Sequence, residues 1–171
     1  MGHALVARLD SQTRQWIYGL MEPFHTNKIP YRRNCDREAA DAVMDYHMTL
    51  FHWAKSEDDC FLDRAKTLTS ACFCADITGV HLYPAEENSW FLFFSVIPTE
   101  NFNDTNSILH SALGIYVSDN LHITLAVSKD FDYLEKIKKH IQDNIKFPFR
   151  ISVEGYDLYH IWTPAKLVRS F

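Results

Sequence analysis

His47-Met48-Thr49-Leu50 and His122-Ile123-Thr124-Leu125 are two copies of one pattern, H-x-T-L, separated by 75 residues in a chain of 171. An imidazole with an ordinary pKa near 6.5 can take or give a proton at neutral pH. Two of them in opposite protonation states can divide the proton removal and proton delivery that cleavage of a phosphodiester requires. A threonine hydroxyl beside each can donate a hydrogen bond to oxygens on which charge builds in the transition state. The pattern is selective within the chain. None of the other seven histidines (His3, His25, His52, His81, His110, His140 and His160) has a threonine two places on.

The elements around the motifs set their geometry. Both lie in apolar, β-branched or aromatic stretches, residues 46–53 and 121–127, which read as strands. Side chains on a strand alternate faces, so His47 and Thr49 share a face, and so do His122 and Thr124, with about 7 Å between the members of each pair. A first strand is expected over 4–8, then a helix capped by Ser11 and running to about Met21 with Trp16 and Leu20 on its apolar side. A short helical piece is expected at 38–44, and Ser56-Glu57-Asp58-Asp59 resembles a capping box opening a helix towards Leu68. Two heavily buried strands, 71–83 and 89–97, come next, followed by a helix over 101–113 that Gly114 stops. Phe131, Leu134, Ile137, Ile141 and Ile145 recur at helical spacing, and closing strands are expected at 149–162 and 165–171. Each motif strand is followed by a helix and then by further strands. The order implies one α+β domain over residues 1–171, with two pseudo-symmetric lobes of antiparallel sheet and outer helices around a central cleft.

Competing chemistries lack their patterns. H-E-x-x-H, C-x-x-C and clustered carboxylates are absent, and His47 and His52, five apart, are expected on opposite strand faces, so no metal site is expected. G-x-S-x-G, G-x-x-x-x-G-K and G-x-G-x-x-G are absent as well.

On its two motifs, the chain resembles the two-histidine (2H) phosphoesterase superfamily, whose signature is two H-x-T/S motifs in the halves of one small domain. Its members include bacterial 2′–5′ RNA ligase-like proteins, cyclic phosphodiesterases acting on RNA ends or ADP-ribose cyclic phosphate, and 2′,5′-oligoadenylate phosphodiesterases. The chain departs from that pattern in two places. Many RNA ligase-like members carry arginine two places after the leucine of the second motif, where Val127 stands, and arginine and glycine after the first, where Phe51 and Ala54 stand. The resemblance implies a metal-independent, cofactor-free phosphodiesterase acting on nucleotide or RNA-end diesters, a 2′,3′-cyclic phosphate or a 2′–5′ linkage. His47, Thr49, His122 and Thr124 would be its catalytic residues, with the assignment of acid and base left open. The alternative is a nucleotide- or RNA-end-binding module with the same cleft and weak catalysis, motivated by Val127 and by the acidic charge.

Composition bounds the partner. Nearly half the residues are apolar (47%) and 14% are aromatic, as in a globular protein. A net charge of −5 argues against broad duplex nucleic-acid binding and favours a nucleotide or short RNA held by local cations. Candidate substrate contacts are Arg32 and Arg33 in a basic stretch, Lys129, and the aromatic Tyr46, Trp53, Tyr159 and Trp162. With no secretory signal and no apolar run near the ~18 residues of a membrane span, the expected compartment is the cytoplasm. Cys35, Cys60, Cys72 and Cys74 are then free thiols, Cys72 and Cys74 being two small buried residues on one strand face.

Overall fold

The computed structural model describes residues 2–24, 46–54, 63–65, 68, 72–85, 88–161 and 166–170. In chain order they form β1 (Gly2–Leu9), α1 (Ser11–Met21), a 3-10 turn (Glu22–Phe24), β2 (His47–Ala54), β3 (Phe73–Pro84) and β4 (Trp90–Pro98). Then come α2 (Phe102–Leu113), β5 (Leu121–Ser128), α3 (Phe131–Asn144), β6 (Phe149–Ile161) and β7 (Lys166–Ser170). The helical piece expected at 38–44 lies outside the described residues, and of the helix expected between Ser56 and Leu68 only residues 63–65 are described, as helix.

The strands run in the order β1-β2-β5-β4-β3-β6-β7, with a further pairing of β1 to β6, and every pairing is antiparallel. β6 belongs to both lobes. Its residues 149–153 pair with β3, while 153–161 pair with β1 and 157–160 with β7. One lobe is therefore β7-β6-β1-β2 and the other β6-β3-β4-β5. At the far side from β6 the lobes meet through a single residue pair, Met48 of β2 with Ile123 of β5. The α+β, two-lobed sheet architecture follows the element order.

Each lobe has a core face and an open face. Leu5, Ala7 and Leu9 of β1, Ala75 and Ile77 of β3, Leu92, Phe94 and Val96 of β4, and Ile151 and Val153 of β6 join one buried cluster. The helices cover it with stripes at helical spacing: Thr13, Ile17 and Met21 of α1, and Leu134, Ile137 and Ile141 of α3. Trp16 stacks on Phe149 with ring centroids 4.3 Å apart. Phe131, expected in the α3 stripe, is exposed at the rim, edge-on to Trp90.

The start of α1 differs from expectation by one residue. Asp10, not Ser11, is the cap: its Oδ1 accepts from the Thr13 amide at 2.8 Å and its Oδ2 from the Thr13 hydroxyl at 2.7 Å. Burial pushes the Asp10 carboxyl up, but the hydrogen bonds from Thr13, Ser152 and Gln12 outweigh it and hold the group below its usual value. Gly114 ends α2 as expected, at φ +71° with its amide bonded to the His110 carbonyl at 2.8 Å. Cys72 corrects another expectation. Because β3 begins at Phe73, Cys72 precedes the strand and is exposed, and Cys74 is half-buried. Among the described residues, no helix is long and apolar enough to cross a membrane.

Candidate active site

Where β2 and β5 meet, Met48 and Ile123 are both 0% exposed and face the core. In an antiparallel ladder, one step outward on one strand matches one step back on the other. The pair therefore sets His47 opposite Thr124 and Thr49 opposite His122, all four on the open face. The register thus sets each motif histidine across the junction from the threonine of the other motif, a twofold-symmetric placement about the Met48–Ile123 pair.

The motif leucines carry the same irregularity in both copies. Val6 pairs with Thr49 and Leu5 with Phe51, so Leu50 is an extra residue in β2. Phe93 pairs with Thr124 and Leu92 with Ala126, so Leu125 is an extra residue in β5. A bulge shifts the alternation of everything beyond it by one place. Phe51 consequently packs against the core, and His52, the partner of Ala4, joins Thr49 on the open face. This corrects the expectation that His47 and His52 lie on opposite faces. Val127, equivalent to His52 in the second motif, is the partner of Phe91 and faces the same way.

A cavity of about 650 Å³ opens beside the junction. Thr49, Leu50, Phe51 and His52 line one wall, and His122 and Thr124 another. Phe91, Phe93 and Tyr83 supply an aromatic wall from β4 and β3. The Phe93 ring stands edge-on to His122 at 5.7 Å and 5.8 Å from the imidazole of His81. His47 is half-buried next to this cavity rather than in its lining, beside Arg8, its β1 partner. Arg8 is itself held by Asp157, through Nη1 at 2.6 Å, and by Glu154, through Nε at 3.2 Å. Glu154 is the extra residue of a bulge in β6, which frees it to reach Arg14 as well, at 3.3 Å. A fixed ionic cluster thus backs the first motif.

The remaining candidates fall elsewhere. Tyr46 is 2% exposed and packs edge-on against Tyr18, and Tyr159 is 5% exposed in a small cluster with Ala4 and Val6. Tyr46, one place before His47, belongs to the main core, whereas Tyr159, the β6 partner of Ala4, lies on the same sheet face as Thr49 and His52, covered within that small cluster. Lys129 is exposed between β5 and the Asp130 cap of α3, away from the cavity lining. Trp53 lies in β2, its side chain outside the description, and Arg32, Arg33 and Trp162 lie outside the described residues. The aromatic wall and His52 were missed by sequence reasoning. Alternation in 89–97 does place Phe91 and Phe93 on one face, but only the register with β5 brings that face to the motifs. Among the described residues, no three His, Cys, Asp or Glu side chains cluster as metal ligands would.

The sequence matches no protein-family model and no curated protein. Among solved structures, it is similar to TT0787 of Thermus thermophilus, with a TM-score of 0.54 at 17% identity over 100% of this chain and 97% of that one. Kluyveromyces marxianus Usb1 aligns with a TM-score of 0.45 at 15% identity, over 98% of this chain and 96% of that one. The same protein with uridine monophosphate aligns at 0.44 and 15%, over 99% and 96%. The likeness to TT0787 is one of fold: this chain shares an architecture with it along nearly the whole of both proteins.

Proposed function

We propose that the chain is a metal-independent phosphodiesterase of the two-histidine type, acting on nucleotide or RNA-end diesters, a 2′,3′-cyclic phosphate or a 2′–5′ linkage. One observation carries this reading: the single Met48–Ile123 pair brings both H-x-T motifs onto one open face in a crossed arrangement. A phosphoryl group centred on that pair has an imidazole on each side. The neutral imidazole takes the proton from the attacking water or 2′-hydroxyl, and the protonated one delivers a proton to the leaving oxygen. Thr49 and Thr124 donate to the non-bridging oxygens, where charge accumulates. The aromatic wall of Phe91, Phe93 and Tyr83 offers a stacking surface for the attached base. His52 adds a third imidazole to the cavity, where a cation would meet a phosphate oxygen.

The test is a panel of 2′,3′-cyclic nucleotides and 2′–5′ dinucleotides assayed with and without EDTA. Turnover that survives the chelator and disappears in His122→Ala is the expected result. Turnover abolished by the chelator overturns the metal-free mechanism. Affinity for these ligands without any turnover leaves a binding module.

A further inference from the structure

Beside His122, on the side away from β2, three polar groups converge on one point of the open face. Ser95 of β4 is the strand partner of His122, and Gly79 of β3 is the partner of Ser95. A bulge makes Thr78 the extra residue of β3, which sets its Oγ1 2.9 Å from the Ser95 Oγ. The His81 imidazole folds back along β3 until its Nε2 is 3.2 Å from the same Ser95 Oγ. Gly79 is what lets it do so, since a Cβ there would lie 2.8 Å from the His81 Nε2. A glycine and a bulge each weaken a strand, so a sheet built for stability alone would have neither here.

The backbone holds these hydroxyls only loosely. Their carbonyl acceptors, Gly79 for Ser95 and Ser95 for Thr78, are 3.4 Å away. That is long for an O–H···O bond, whose usual span is about 2.5–3.0 Å. The Thr78–Ser95 contact uses one hydroxyl hydrogen, which leaves the other hydroxyl hydrogen and the exposed imidazole to turn towards an anion, and a protonated imidazole would add charge.

Resting on the phosphodiesterase reading above, we infer that Thr78, Ser95 and His81 form a subsite for a second phosphate of the substrate, next to the phosphate at the motif junction. Neighbouring strands are about 4.8 Å apart, so Ser95 stands roughly 7 Å from the line midway between β2 and β5. That spacing suits the two phosphates on one ribose, with Phe93 between the two imidazoles, under the sugar or base. The preferred substrate is then an oligonucleotide, or a nucleotide carrying a further phosphate, rather than a lone cyclic mononucleotide.

The experiment compares two probes, uridine 3′-monophosphate and uridine 3′,5′-bisphosphate, by titration calorimetry on the full chain, and reads the ratio of their affinities. The bisphosphate is expected to bind about tenfold tighter, the scale of one charged hydrogen-bonded contact. Ser95→Ala, Thr78→Val and His81→Ala should each bring the ratio down, and Gly79→Ala should do so by displacing the imidazole that it leaves chemically intact. The first three change open-face groups, and retained thermal melting verifies their fold. A ratio near one in the parent protein, or a tenfold ratio that survives in Ser95→Ala and His81→Ala, overturns the subsite. Turnover of the diester panel with a ratio near one sinks the subsite alone. A tenfold ratio without turnover sinks the phosphodiesterase reading alone, and no binding of either probe sinks both.

Discussion

The crossed geometry at the β2–β5 junction makes a claim that no reading of the motifs one at a time would make. His47 should couple energetically to Thr124, and His122 to Thr49, more strongly than each couples to the threonine of its own motif. Residues facing each other across an antiparallel pair have Cβ atoms about 5 Å apart, whereas i and i+2 on one strand are about 7 Å apart. Each histidine-to-alanine change should lower kcat by 10²–10⁴, the scale of a general acid or base, or about 3–5 kcal/mol in the barrier. Each threonine-to-valine change should cost about 3–4 kcal/mol as one lost transition-state donor. In double-mutant cycles on kcat/KM, the crossed pairs should show coupling of about 1–2 kcal/mol, and the within-motif pairs at least about 0.5 kcal/mol less. The assay is steady-state hydrolysis of a 2′,3′-cyclic nucleotide at the pH optimum, with thermal melting to verify that all variants fold. Equal coupling for the two kinds of pair, or stronger coupling within a motif, refutes the crossed site.

Other expectations test the frame around it. His52→Ala should raise KM several-fold with little change in kcat, because His52 lines the cavity without flanking the junction; a collapse of kcat in steady-state assays would contradict that placement. Met48→Ala should destabilise the fold by about 2–5 kcal/mol in urea unfolding, since Met48 is fully buried beneath the junction. Asp10→Ala should cost about 1 kcal/mol of stability at neutral pH. The Asp10 carboxyl is held below its usual 3.8, so its contribution is present above that pH and is lost as pH falls through the lower folded value, which acid unfolding of parent and variant will show. Burial pushes the Tyr156 phenol up to about 12, against 10.0 when exposed, with the Thr105 hydroxyl opposing the shift. The folded state therefore loses stability as pH rises above 10.0, and an ultraviolet titration should show Tyr156 ionising last or only with unfolding.

Periodicity carried most of the architecture. The strands at 121–127 and 149–162 and the helices bounded by Gly114 and Phe131 lie within a residue or two of their expected limits, because alternation and helical spacing are local signals. The motif histidines were legible for the same reason. What was not legible depends on register. No local signal marks Leu50 and Leu125 as bulged, so the face of His52 was read wrongly. The burial of Tyr46 and Tyr159 is set by contacts between elements, with Tyr18 in one case and with Ala4 and Val6 in the other, which no local signal announces. Ser11 and Asp10 are both good caps, and the winner is the one whose carboxylate also takes the Ser152 amide of β6.

The continuity of β6 has a mechanical consequence. Its 13 residues serve one lobe with the first few and the other lobe with the rest, and Val153 is paired on both edges at once, to Phe73 and to Leu9. Swinging the lobes apart would bend a strand hydrogen-bonded on both sides, so the angle between the cleft walls is held by the backbone itself. The cleft is thus shaped before any ligand arrives, and binding there spends little free energy on rearranging the protein.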